Sequence, residues 1–181
     1  MGRPKNFSRE EVLQKAIPLF WKQGFADTSL QDLEKATGVN KSGLYSEFKS
    51  KEELFLESLR YYLANRDGSS LTATPLGWDN IENFLKQTCP AGQKGCMAIN
   101  SMRELAIVPP EARAILTTNL GGLKRLIARN VAAKHTKLDA ESIADIILTF
   151  FVGLSLEQNL GTRKALTIRK IEDFMQVVRA L

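Results

Sequence analysis

Between Thr28 and Leu54 the chain reads TSLQDLEKATGVNKSGLYSEFKSKEEL, a run that few packings accommodate. Thr28 or Ser29 supplies a side-chain oxygen to cap a short helix, and Leu30, Leu33 and Ala36 then recur along one of its faces. Gly38 ends that helix, because a sharp exit needs the positive φ that glycine adopts without a clashing Cβ. Val39 fills the angle and Asn40 caps a second helix, Lys41 to Phe48, whose apolar side is Leu44 and Phe48 at i and i+4. Ser50 and Glu53 then have the spacing of a capping box for a third helix. Turning Leu44 and Phe48 inward leaves Lys41, Ser42, Gly43, Tyr45, Ser46 and Lys49 outward or along the flanks. A glycine turn between two short helices, the second with a small, basic and hydroxyl-rich outer face, is a helix-turn-helix pattern.

The run resembles the DNA-binding signature of the TetR family of bacterial transcriptional regulators. Thr28 stands at the helix start, Ala36-Thr37-Gly38-Val39 at the turn, and Leu44-Tyr45, Phe48, Lys51 and Leu54 follow in the family's spacing. The resemblance covers roughly the first third of the chain and rests on joint spacing, which chance seldom reproduces. Three positions depart from it: Glu34, where a small residue is common; Asn40, where serine is common; and Glu47, where histidine or tyrosine is common. A carboxylate at Glu47 repels phosphate, so no phosphate contact is expected there. The resemblance implies a ligand-responsive regulator, a repressor that binds a palindromic double-stranded operator as a homodimer and is released by a small effector. It also implies that the last two long helices pair with their twofold mates as a four-helix bundle and that the C-terminal helices enclose a pocket.

Chemistry assigns expected roles within the motif. Lys41 and Ser42 sit at the end of the reading helix that enters the major groove first, and Gly43 lets the backbone approach closely. Tyr45 can offer its hydroxyl to phosphate while its ring lies against the sugar. Lys51, with Thr28 and Ser29, can meet phosphate beside free amides at helix starts. Lys41, Lys49 and Lys51 cluster around the helix as a phosphate clamp requires. No Arg or Gln on this helix supplies a bidentate base contact, so the operator sequence is not legible.

The rest of the chain fits an all-α protein of about nine helices. Its 181 residues, 44% of them hydrophobic, suffice for a core and one or two small domains, and a net charge of +5 suits a polyanionic partner. No apolar run reaches the roughly eighteen residues that span a bilayer, and the N-terminus lacks a secretory apolar region, so a cytoplasmic location is expected. Arg3 and Lys5 form a short basic arm that either reaches into a minor groove or stays a solvated tail. Ser8 with Glu11 starts a helix whose stripe is Leu13, Ala16, Ile17 and Phe20, ending at Gly24, and Pro18 within it predicts a kink. Residues 1–50 read as the helix-turn-helix domain and 51–181 as a helical ligand-binding and dimerisation domain, with 51–66 as a connecting helix. A break follows from Asp67 to Gly77, then helices over Trp78–Thr88, Met97–Ile107, Glu111–Lys134, a segment from Asp139 to Gly161, and a last one to Leu181. Phe150, Phe151 and Leu154 beside Gly153 give more apolar surface than one core face needs.

Trp78, Phe84, Met97, Asn100, Met102, Phe150 and Gln158 are candidate pocket residues, although aromatic and Met side chains at helical spacing more often serve as plain core. Cys89 and Cys96 are too few for a zinc site; they form either a thiol pair open to oxidants and electrophiles or two reduced thiols. One His, no metal constellation, no phosphate-cradling glycine loop and no nucleophile beside a base argue against an enzyme, and no cofactor is expected. The competing readings are a helical ligand-binding or adaptor protein without DNA affinity, which Glu34 and Glu47 favour, and a thiol-based redox or electrophile sensor.

Overall fold

Ten α-helices and two short 3₁₀ turns make up the regular structure of residues 7–87 and 95–181, which the computed structural model describes, and these residues contain no strand. In chain order the helices are α1 (Arg9–Gln23), α2 (Leu30–Thr37), α3 (Lys41–Glu47), α4 (Lys51–Ala64), α5 (Ser69–Thr72), α6 (Trp78–Gln87), α7 (Met97–Ser101), α8 (Pro110–Ala132), α9 (Ala140–Glu157) and α10 (Lys164–Arg179). The chain divides into two compact units. One runs to Asn65 and takes in Asn100–Leu116; the other comprises Arg66–Ile99 and Thr117–Leu181.

In the first unit, Ser8 and Glu11 close the expected capping box on α1. Val12, Leu13, Ala16 and Phe20 turn inward from that helix, which packs on α2 and α4. Phe20 and Phe25 both rest on Phe55, with ring centroids 5.2 and 5.1 Å apart. Pro18 lies within a continuous helix at an exposed position, where water can reach the carbonyl that lacks its usual N–H partner. Arg9 covers the outside of this core. Its guanidinium sits 4.2 Å from the Phe48 ring centroid, donates to the Glu47 carbonyl, and pairs with Glu57 at 3.5 Å and Glu53 at 3.7 Å.

Three local expectations change. Ala36 is exposed and Thr37 is buried, because the Thr37 hydroxyl donates to the Leu33 carbonyl and accepts from the Val39 amide, which satisfies it inside. Ser50 caps α4 by accepting from the Glu53 amide, whereas the Glu53 carboxylate accepts from the Lys49 amide and so reaches one residue beyond the cap. The helix expected over Met97–Ile107 stops at Ser101 and tightens into a 3₁₀ turn, Met102–Glu104, whose last carbonyl accepts from the Ile107 and Val108 amides.

The second unit is held by a buried amide cluster as well as an apolar core. Asn130 is fully buried; its Oδ1 accepts from the Gly77 amide at 3.0 Å and the Asn80 amide group at 2.9 Å. Its Nδ2 donates to the carbonyls of Leu71 and Leu126 at 2.8 and 2.9 Å. That anchor organises the stretch expected to be a plain break, which contains the one-turn α5. Ile81, Phe84 and Leu85 of α6, Ile127 and Val131 of α8, Ile147 and Phe151 of α9, and Ile171, Met175 and Val178 of α10 are buried. Salt bridges pin the outside of α6 to α10: Lys86 to Glu172 at 2.9 Å, and Arg179 to Asp79 at 3.0 Å and Glu82 at 2.8 Å. Helix α8 runs unbroken through Gly121-Gly122 and opens on Pro110, whose missing N–H costs nothing at a first helical position. Among the described residues, no helix is long and apolar enough to cross a membrane.

Candidate nucleic-acid interface

Four caps build the helix-turn-helix. Ser29 accepts from the Asp32 amide and the Asp32 carboxylate accepts from the Ser29 amide, so Ser29 caps α2 and Thr28 does not. The hydrogen bonds from Ser29 hold the Asp32 carboxyl below its ordinary range. Gly38 leaves α2 in the left-handed region at φ +74°, the conformation the sequence demanded. Val39 is buried in the angle, and Asn40 accepts from the Gly43 amide at 2.8 Å to start α3. Lys15, from α1, donates to the Thr37 carbonyl at 3.1 Å and so covers the end of α2.

Helix α3 is anchored by Leu44 and Phe48, each 1% exposed. Lys41, Ser42, Tyr45 and Ser46 are exposed on the other side, and Lys49 is exposed just beyond. The Lys41 ammonium stands 5.9 Å from the Tyr45 ring centroid one turn on, so cation and phenol share a ridge. The Ser46 hydroxyl donates to the Gly43 carbonyl at 2.7 Å and keeps lone pairs free to accept. Gly43 is dictated from the inside: a Cβ there would lie 2.6 Å from Cγ1 of Val39 and 3.3 Å from Cζ of Phe7. Glu34, a departure from the family pattern, accepts from the Lys41 amide, so its carboxylate belongs to the start of α3.

Two residues expected at phosphate are turned inward. Thr28 is fully buried and donates its hydroxyl to the Gly24 carbonyl at 2.6 Å. The Lys51 ammonium donates to the carbonyls of Phe25 and Thr28 at 2.9 and 3.0 Å and lies 4.3 Å from the Phe25 ring centroid. Both side chains fix the loop between α1 and α2, a use hidden in the sequence because each needs the folded loop as its partner. Ser29 is exposed, with its hydroxyl committed to Asp32. Arg3, Lys5 and Cys89 lie outside the described residues.

The candidate pocket residues are divided between the two units. Asn100 and Met102 belong to the first unit; Trp78, Phe84, Met97, Phe150 and Gln158 belong to the second. Phe84 is buried against Phe151 at 5.3 Å, Met97 is buried, and Phe150 stacks on Phe174 at 3.7 Å and 4°. Trp78 lines a cavity of about 140 Å³ with Gly77, Lys134 and Arg179. A more open recess of about 470 Å³, among Ser70, Asn80, Asn83, Lys86 and Gln87, was not anticipated. Cys96 is buried just ahead of α7, where its sulfur accepts from Arg66 at 3.6 Å. Among the described residues, no group of three or more His, Cys, Asp or Glu side chains could hold a metal.

The family model for bacterial regulatory proteins, tetR family, matches residues 12–58, from α1 into α4. The chain is 50% identical over 62 residues to the HTH-type transcriptional repressor ComR of Escherichia coli K12, a match covering 34% of this chain and 30% of ComR. Likeness to the HTH-type transcriptional repressor BdcR of the same organism is weaker but longer: 27% over 174 residues, 88% of this chain and 83% of BdcR. Among solved structures, a cysteine variant of the TetR family transcriptional regulator CifR, complexed with 26 bp double-strand operator DNA, aligns with a TM-score of 0.82. That alignment covers 96% of this chain and 98% of CifR at 26% identity.

Proposed function

On the premise that the chain belongs to the TetR family of bacterial regulatory proteins, we propose that it is a ligand-responsive transcriptional repressor that binds a palindromic operator as a homodimer. The observation that carries this reading is the division of α3: Leu44 and Phe48 are buried, while Lys41, Ser42, Tyr45 and Ser46 are free to face a groove, with Lys49 beside them. The ammonium groups and hydroxyls are the donors that phosphates and base edges accept. ComR and BdcR, both described as repressors, and CifR, seen with operator DNA, support the same reading. Glu34 no longer favours an adaptor, since its carboxylate has a structural use at α3. Residues 1–50 act as the reading head in this reading, with Arg3 and Lys5 as an arm along the minor groove, and the protein works in the cytoplasm.

The dimer is proposed from α9 and α10. Ile146, Leu156, Leu166 and Val177 are exposed, at 41, 38, 48 and 64%, and a Cβ built on Gly153 meets nothing within 4 Å. Exposed apolar residues on two neighbouring long helices suit a twofold partner, which would set two α3 helices in successive major grooves. A small effector bound by the second unit would release the operator by favouring a different spacing of the heads.

Fluorescence anisotropy with a labelled fragment from upstream of the protein's own gene tests the proposal. Binding should weaken linearly on a logarithmic salt axis with a steep slope. A protein that sediments as a single subunit and ignores the fragment in dilute buffer would overturn the reading.

A further inference from the structure

The loop between α1 and α2 sets how α2 meets α1, and α2 carries α3. Its polar groups are taken from two sides. Lys51, at the start of α4, holds its carbonyls at Phe25 and Thr28. Its amides are held by a residue far along the chain: Glu104 accepts from the Phe25 N–H at 2.8 Å with Oε2 and from the Ala26 N–H at 3.0 Å with Oε1. Each carboxylate oxygen thus takes one of two consecutive amides, a two-point grip that fixes the direction as well as the distance of the loop. Gly24 shows how close the fit is. A Cβ there would stand 2.5 Å from Oε2 of Glu104, and φ is +83°, so both space and backbone demand glycine.

The position of the carboxylate is itself fixed. The Glu104 carbonyl accepts from the Ile107 and Val108 amides, which makes Glu104 the pivot of the turn leading to Pro110 and α8. All these contacts lie within the first compact unit. A displacement of the turn would move the loop with it or break the grip.

We propose that Glu104 is a positioning residue for DNA reading: its carboxylate clasps the α1–α2 loop and holds α2 and α3 in the seating that fits a duplex. The proposal rests on the operator-binding reading above. Glu104 touches no part of the exposed face of α3, so it acts through the loop and not through phosphate.

Three variants of the full chain, Glu104→Ala, Glu104→Gln and Gly24→Ala, test the clasp by anisotropy on the upstream fragment and by amide hydrogen exchange. Glu104→Ala removes both acceptors and should weaken binding on the order of tenfold or more. Glu104→Gln keeps the shape and one acceptor oxygen, so its affinity should fall between Ala and wild type. Gly24→Ala opens the same contact from the loop side and should resemble Glu104→Ala. The salt slope should stay at the wild-type value in all three, because no phosphate contact is lost; a general loss of folded head would change it. Exchange at the Phe25 and Ala26 amides should rise in the order in which affinity falls. Wild-type affinity in Glu104→Ala and Glu104→Gln with fast exchange at Phe25 and Ala26 overturns the clasp alone. Absence of binding by the wild-type protein overturns the operator reading, and the clasp's role in DNA reading with it.

Discussion

The first unit and the second each present an outward face on a helix that is firmly anchored on its other side, and the two faces have opposite chemistry. On α3 the exposed residues are Lys41, Ser42, Tyr45 and Ser46. On α9 and α10 they include Ile146, Leu156, Leu166 and Val177. Burial alone does not separate them, since Leu44 anchors α3 as tightly as Phe151 anchors α9. What differs is the partner each surface can satisfy. Ammonium and hydroxyl groups gain little against another protein's apolar side, and exposed aliphatic side chains gain nothing from a phosphate.

Their interiors differ too. The head is held by short-range caps and an aromatic cluster around Phe55. The second unit depends on the Asn130 carboxamide, whose partners lie far off in sequence at Leu71, Gly77 and Asn80.

The largest test of this contrast is Gly153→Arg. A Cβ there meets nothing within 4 Å and the position is exposed, so the fold should survive, but a guanidinium would lie in the proposed subunit contact. Sedimentation should show single subunits, and operator binding should fall by about a hundredfold or more once one head must bind without its twin. A dimer of unchanged stability would show that the apolar face lies outside the subunit contact.

Asn130→Ala probes the interior of the second unit. It leaves the Gly77 amide and the Leu71 carbonyl without that partner, at a cost of about 2–4 kcal/mol in denaturant unfolding. Unchanged stability would mean that water replaces the carboxamide.

Lys41→Ala acts on the polar face only. Affinity should fall about tenfold, the salt slope should shrink by about one unit, and thermal stability should hold. An unchanged slope would remove Lys41 from the phosphate contacts.

Acid should have the smallest effect and touch both regions. Backbone and side-chain hydrogen bonds from Ser8 lower the Glu11 pKa, and hydrogen bonds from Ser29 and Ser142 lower those of Asp32 and Asp139. Because the folded values lie below the unfolded ones, these caps stabilise above the ordinary carboxylate range and lose that effect as pH falls through the depressed values. The thermal midpoint should therefore be flat near neutrality and decline below about pH 4. A decline that begins near pH 6 would point to a different group.

Much of the head was legible because its determinants are local. The caps at Ser8 and Asn40, the glycine exit at Gly38, and the inward pair Leu44 and Phe48 each act through residues no more than four positions away, and the Asp139 cap on α9 of the second unit was legible for the same reason. The sequence misassigned residues whose partners are assembled only by folding. Lys51 looked like a phosphate ligand because it stands at a helix start beside free amides, yet its ammonium donates to the α1–α2 loop. Ala36 and Thr37 exchanged places because a hydroxyl that bonds back along its own helix can be buried. Glu104 gave no signal, since its partners precede it by 79 and 78 residues. Helical spacing of aromatic and Met side chains describes core as well as cavity, and Phe84 and Met97 are buried.

The carboxylate of Glu34 at the first amide of α3 has a consequence for how a duplex would lie. That amide is already occupied, and it carries a neighbouring negative charge, so a sugar–phosphate strand is discouraged from crossing at Lys41's backbone. The acid at Glu34 thus takes one backbone donor out of the contact proposed for α3.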